Sequence, residues 1–200
     1  NSSLYPTIIP QASDTAIFIP AAQTGETISG FNIRASTGVG IDSKSTSGRN
    51  FINNVTITDG QTGILIEGAA SYDINGDVAL SNQSGFGLLN NGTGETSLTD
   101  VSITDVSGSA IETSAGIIDA DSVTISGSGA DGIRLVGTND PRLELTSSSI
   151  TNSTNSGIVT ASNGSVDIRS SQITGSGDAG IRSTLLATGT IVASDSTING

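Results

Sequence analysis

Cysteine, histidine, methionine and tryptophan are all missing from the 200 residues of this chain. Without cysteine there are no disulfides and no thiolate metal sites. Without histidine the chain lacks the commonest general base and the commonest metal ligand. A Ser-His-Asp or Cys-His machine is therefore excluded within it. Positive charge is scarce, with 7 Lys and Arg against 19 Asp and Glu and a net charge of -12. A phosphate-binding surface needs clustered cations to displace counterions, so nucleic acid is not an expected partner. Docking on an anionic membrane is not expected either. No apolar run approaches the roughly 18 residues that a membrane-spanning helix needs. The acidic residues are scattered, which is the pattern of a solvated surface.

What is present is a repeat. The phrase NVTITD at 54–59 returns as DVALSN at 77–82, DVSITD at 100–105 and SVTISG at 122–127. It continues as SSSITN at 147–152, SSQITG at 170–175 and DSTING at 195–200, with a degenerate copy, GFNIRA, at 30–35. Its large aliphatic residue serves as an anchor: Ile33, Ile57, Leu80, Ile103, Ile125, Ile150, Ile173 and Ile198, at intervals of 22–25 residues. A second column follows at Ile41, Ile64, Leu88, Ile111, Ile133, Ile158 and Ile181, each preceded by Gly or, at Ala110, by Ala. A third precedes the anchor at Ile28, Ile52, Ile74, Leu98, Ile118, Leu145, Ile168 and Ile191. Its offset of 5 to 7 residues predicts a turn of variable length there.

Three apolar columns per repeat predict three short strands per coil. Around the anchors the pattern alternates, with Val55, Val78, Val101 and Val123 two residues upstream and mostly Thr or Ser between. That is period-2 patterning with one buried face. Two residues after the anchors stand Asp59, Asn82, Asp105, Gly127, Asn152 and Gly175, types that tolerate the left-handed backbone of a sharp corner. The small residue before the second column predicts a tight bend or a crowded interior. The fold expected is all-β: a right-handed parallel β-helix of about 7–8 coils, in which neighbouring coils bury each other's apolar faces.

Residues 1–25 lack the phrase and are expected to form an N-terminal cap or lead-in strand, with 26–200 as the solenoid. The two Tyr and four Phe fall within the first 86 residues and are expected to fill core and cap. The last phrase stops at Gly200 on a corner without a cap. That points to a solenoid continuing in a longer protein, or to end-to-end self-association.

The phrase, followed by G-I eight residues after the anchor, resembles the right-handed parallel β-helix repeat. That group includes pectate-lyase-like enzymes, phage tailspikes and passenger segments of bacterial autotransporter and inverse-autotransporter adhesins. The resemblance spans residues 26–200. Enzymes of the group act on polysaccharides through clustered Asp residues, with a His or with Asp-bound calcium and a basic residue. Neither constellation is visible here.

The acidic candidates are Asp77 and Asp100, each three residues before an anchor and on adjacent coils. Two carboxylates at strand spacing repel unless a proton or a cation intervenes, and calcium suits such oxygen ligands. Asp119 and Asp121 form a second candidate pair. Arg134 and Arg182 hold equivalent places after the second column, and Glu112 holds that place one coil before Arg134, which predicts a Glu112–Arg134 ion pair. The segment VGTNDPR at 136–142 is the longest corner insertion and is expected to make a turn.

The function expected is a non-enzymatic bacterial surface or extracellular module. It would be an adhesin stalk or passenger whose partners are glycans or proteins of a host or neighbouring cell. No cofactor is required, apart from calcium at the Asp77–Asp100 pair. The alternatives are a polysaccharide-processing enzyme or tailspike, and a self-associating filament subunit.

Overall fold

A computed structural model of the chain describes residues 5–160, 163–184 and 189–200. These residues contain no helix; 21 strands are joined into one continuous sheet. Every pairing among them is parallel, and each joins a strand to its counterpart one coil on. The chain is a β-solenoid of about eight turns, which satisfies the backbone by stacking.

The anchors stack as read from the repeat. Ile33 faces Ile57, Ile57 faces Leu80, Leu80 faces Ile103, and the column runs on to Ile198. The second column is in register from Ile41 to Ile181. Both sets line a core in which nearly every member is sealed from solvent. Residues 5–25 carry two short strands, Thr7–Ile8 and Ile17–Ile19. Ile8 stacks on Ile33 and Ile17 on Ile41, so both continue the two columns. Residues 1–4 lie outside the described part of the chain.

The third column departs from the expectation at two places. Leu98 stacks on Ala120, not Ile118, and Ile168 stacks on Ala193, not Ile191. Ile118 lies between Thr96 and Leu143, and Ile191 lies on Val166. The corner before the anchor is thus nearly constant, with one extra residue only between Ile74 and Leu80, where Gly76 has φ 68°. Residues two apart point to the same face, so the bulk moves two places upstream in these coils while an alanine keeps the column.

The predicted corner residues Asp59, Asn82, Asp105, Gly127, Asn152 and Gly175 all have φ between 53° and 71°. A second left-handed column precedes the anchor strand: Gly30, Asn54, Asp77, Asp100, Ser122, Ser147, Ser170 and Asp195. Left-handed backbone costs an ordinary L-residue roughly 1–2 kcal/mol, least for Gly, Asn and Asp. At Gly127 a Cβ would lie 2.7 Å from Asp105 Oδ1, so the carboxylate of one coil covers the glycine of the next.

The residue before the second column faces the interior. A Cβ on Gly40 would come 2.6 Å from Ile57 Cγ2, and on Gly132 2.5 Å from Ile150 Cγ2. The column is small because the anchor of the following coil occupies that space. Downstream, the inward valines give way to serines. Ser148 Oγ accepts from Val123 N–H at 2.9 Å, Ser171 Oγ from Ser148 N–H at 3.1 Å, and Ser196 Oγ from Ser171 N–H at 3.1 Å. The first two donate in turn to the carbonyls of Thr146 and Arg169.

Two smaller expectations are corrected. Residues 136–142 do not leave the sheet as a separate turn but lie within the strand Ile133–Thr146, where Asn139 pairs with Ala115 between left-handed Gly137 and Asp140, with φ 90° and 45°. Two shifts in register, between Thr113 and Ala115 and between Ala115 and Ile117, absorb the extra length. Of the aromatics, Tyr72 is fully buried, its hydroxyl 2.6 Å from Ser43 Oγ, whereas Tyr5 and Phe18 are 46% and 54% exposed. Burial pushes the Tyr72 phenol up from its ordinary value.

Candidate binding site

The outward residue after each second-column aliphatic forms its own stack: Asp42, Leu65, Leu89, Glu112, Arg134, Val159 and Arg182. At its downstream end lies a trough of about 250 Å³ lined by Asp131, Arg134, Asn155, Val159, Arg182 and Thr184 among others. Arg134 and Arg182 belong to alternate coils, two strand spacings or roughly 10 Å apart along the rod. Val159 lies between them and is 3% exposed.

Each guanidinium meets carboxylates. Arg134 Nη1 is 3.6 Å from Glu112 Oε2, the pair expected from the column, and its Nε is 3.9 Å from Asp131 Oδ2. Arg182 Nη1 is 2.8 Å from Asp178 Oδ2. Asp131 is largely buried because it stands two residues before Ile133, on the inward side of the corner, where its Oδ1 accepts Ser156 N–H at 3.1 Å. Burial raises the Glu112 carboxyl above its ordinary value; Arg134 opposes that shift and Asp131 adds to it. Repeat reading picked out Arg134, Arg182 and Glu112. It missed Asp131, Asn155 and Asp178, which lie on the corner outside the strand columns. The available signal was an acidic residue at an inward-facing position.

The other candidates fall elsewhere. Asp77 and Asp100 do lie on adjacent coils, since Val78 pairs with Val101, and both are exposed at left-handed corners, with φ 62° and 56°. Asp119 is stacked between Ser97 and Glu144, and Asp121 between Thr99 and Thr146. Glu144 continues to Asp167, and these two carboxylates pair with Arg142 and Arg169 on their own strands. Among the described residues no three acidic side chains converge as a metal site. At the other end of the rod, Arg34 pairs with Asp59 at 3.0 Å beside a trough of about 630 Å³ that also includes Ile9, Ser36, Asn82 and Ser84.

A paired guanidinium and carboxylate offers donors and acceptors side by side without net charge. Such a pair matches a hydroxyl group, which both donates and accepts, better than it matches a bare anion or cation.

No protein-family model matches the chain. No curated protein matches it either. Among solved structures it is similar to the catalytic unit of a thermostable GH87 α-1,3-glucanase from Streptomyces thermodiastaticus strain HF3-3, with 13% identity and a TM-score of 0.43. The match covers 97% of this chain and 44% of that one, so the chain spans less than half of its neighbour's length.

Proposed function

We propose that this chain is an extracellular, cell-surface β-solenoid module that binds glycans of a host or neighbouring cell without cleaving them. The observation that carries the reading is the trough at Arg134 and Arg182. Two guanidiniums two coils apart, each compensated by carboxylates, present donors and acceptors over a rigid floor of stacked strands. Preorganised strands hold such groups at low entropic cost, which suits recognition of a hydroxylated polymer. The shallow trough and flat coils leave the ligand largely in water, the setting of an adhesin stalk or passenger.

The experiment is retention on immobilised neutral and acidic polysaccharides, scored together with new reducing ends. Wild type is retained and releases no ends, and Arg134→Ala with Arg182→Ala weakens retention by about tenfold or more, the scale of a lost charge-assisted hydrogen bond. Equal retention of wild type and double variant would remove the site from the reading.

One observation favours a second reading, glycoside hydrolysis. Glu112 is a half-buried carboxyl held protonated to higher pH than usual beside Asp131, a pairing that suits a general acid and its partner. Under this reading wild type generates chain ends and Glu112→Gln does not, while binding persists.

A further inference from the structure

Two polar troughs among the described residues flank one corner of the rod, on opposite sides of it. The Arg34–Asp59–Asn82 trough and the Arg134–Arg182 trough both open beside the corner that links the anchor strand to the second strand. One unbroken backbone ladder runs along that corner. Gln61 N–H donates to Gly38 O at 2.8 Å, Gly85 to Gln61 at 2.9 Å, and Gly108 to Gly85 at 2.8 Å. Ala130 then donates to Gly108 at 3.1 Å, Asn155 to Ala130 at 3.0 Å, and Asp178 to Asn155 at 2.8 Å. Gly60 and Ser84 of the first trough flank its upstream end, and Ala130 and Asn155 of the second are its rungs.

Between the troughs the floor is low. One coil intervenes, and its corner presents Asp105, Ser107 and Gly108. Gly108 has no room for more, since a Cβ there would meet Gly85 O at 2.5 Å. Along the axis, Asn82 and Asp131 are two strand spacings apart, roughly 10 Å, and Arg34 and Arg182 six, roughly 29 Å. Both troughs carry the same chemistry, an arginine compensated by aspartate with amide and hydroxyl groups beside it. Ile9, 69% exposed, adds an apolar wall to the first.

We infer that the Arg34–Asp59–Asn82 trough is a second glycan contact, and that one extended, uncharged polysaccharide chain follows this corner, crossing it from one trough to the other. The inference rests on the glycan-binding reading of the Arg134–Arg182 trough and adds the ligand's direction, minimum length and second contact. Two weak contacts on one rigid corner bind a spanning chain far more tightly than either alone, because the second contact forms at high effective concentration.

The test is isothermal titration of the purified chain with cello-, laminari- and malto-oligosaccharide ladders. In the ladder that binds, the longest soluble oligomer binds at least about tenfold more tightly than the shortest. Arg34→Gln with Asn82→Gly, the glycine keeping the left-handed corner, removes that gain and leaves binding at the Arg134–Arg182 trough alone. Ser107→Trp, which touches neither trough, also removes the gain by raising a barrier between them. An unchanged melting midpoint shows that each variant folds.

A length gain that survives both variants overturns the inference, while short-oligomer binding lost in Arg134→Ala still upholds the first site. Short-oligomer binding that ignores Arg134→Ala when Arg34→Gln and Asn82→Gly are also present overturns the reading of the first site itself. Failure of every ladder to bind overturns both.

Discussion

A Cβ on Gly132 would lie 2.5 Å from Cγ2 of Ile150, the anchor of the next coil. The glycine column is thus a steric imprint of the anchor column, displaced by one coil. Ala110 is the one position where the imprint admits a methyl, and it is fully buried. Gly132→Ala is expected to destabilise the chain by about 1–3 kcal/mol, the usual cost of overpacking a core. Ala110→Gly is expected to cost about 1–2 kcal/mol, from backbone entropy and one lost buried methyl, without any steric clash. Urea denaturation of the two variants measures both, and a Gly132→Ala variant as stable as wild type would contradict the imprint.

The serine ladder leads to a second prediction. Ser171→Val restores the residue type of the upstream coils but removes the acceptor for Ser148 N–H. The orphaned donor costs about 1–3 kcal/mol, despite the gain in apolar volume. Urea midpoints of wild type and variant decide it, and a stabilised variant would show that packing outweighs the ladder.

Asp77 and Asp100 are tested by exchanging charge while keeping the corner. Asn tolerates left-handed backbone as Asp does, so Asp77→Asn with Asp100→Asn leaves both corners intact. The corner role accounts for both residues without a cation, so calcium is expected to shift the melting midpoints of wild type and double variant equally. A calcium shift confined to wild type would assign the ion to this pair. Asp100→Val, by contrast, is expected to cost about 1–2 kcal/mol with or without calcium, because a β-branched residue resists φ 56°.

Glu112 sets a pH dependence. Its carboxyl is raised in the fold above the ordinary 4.5, so the folded state holds the proton more tightly than the unfolded chain. That preference stabilises the fold below 4.5 and is lost as pH rises through the raised value. Glu112→Gln removes this linkage. The stability difference between wild type and variant, followed by urea denaturation from acid to neutral pH, should move against wild type as pH rises through that window. A pH-independent difference would show that the ion pair with Arg134 cancels the burial.

The repeat alone determined the coil length, the anchor and second columns, the left-handed corners after the anchors and the small interior column. Each is imposed identically on every coil by stacking, so a periodic fold writes it periodically. It also placed Glu112 beside Arg134, since residues one coil apart in a column must be neighbours. The third column at Ala120 and Ala193 was not legible, because strand alternation cannot separate two inward positions and hydropathy favours the larger side chain. Nor were Asp131, Asn155 and Asp178, which stand on corners where no apolar period marks the register. Only the tertiary structure decided that the corners stack into one ladder bordered by both troughs, because that alignment depends on how each corner closes and not on which residues face the core.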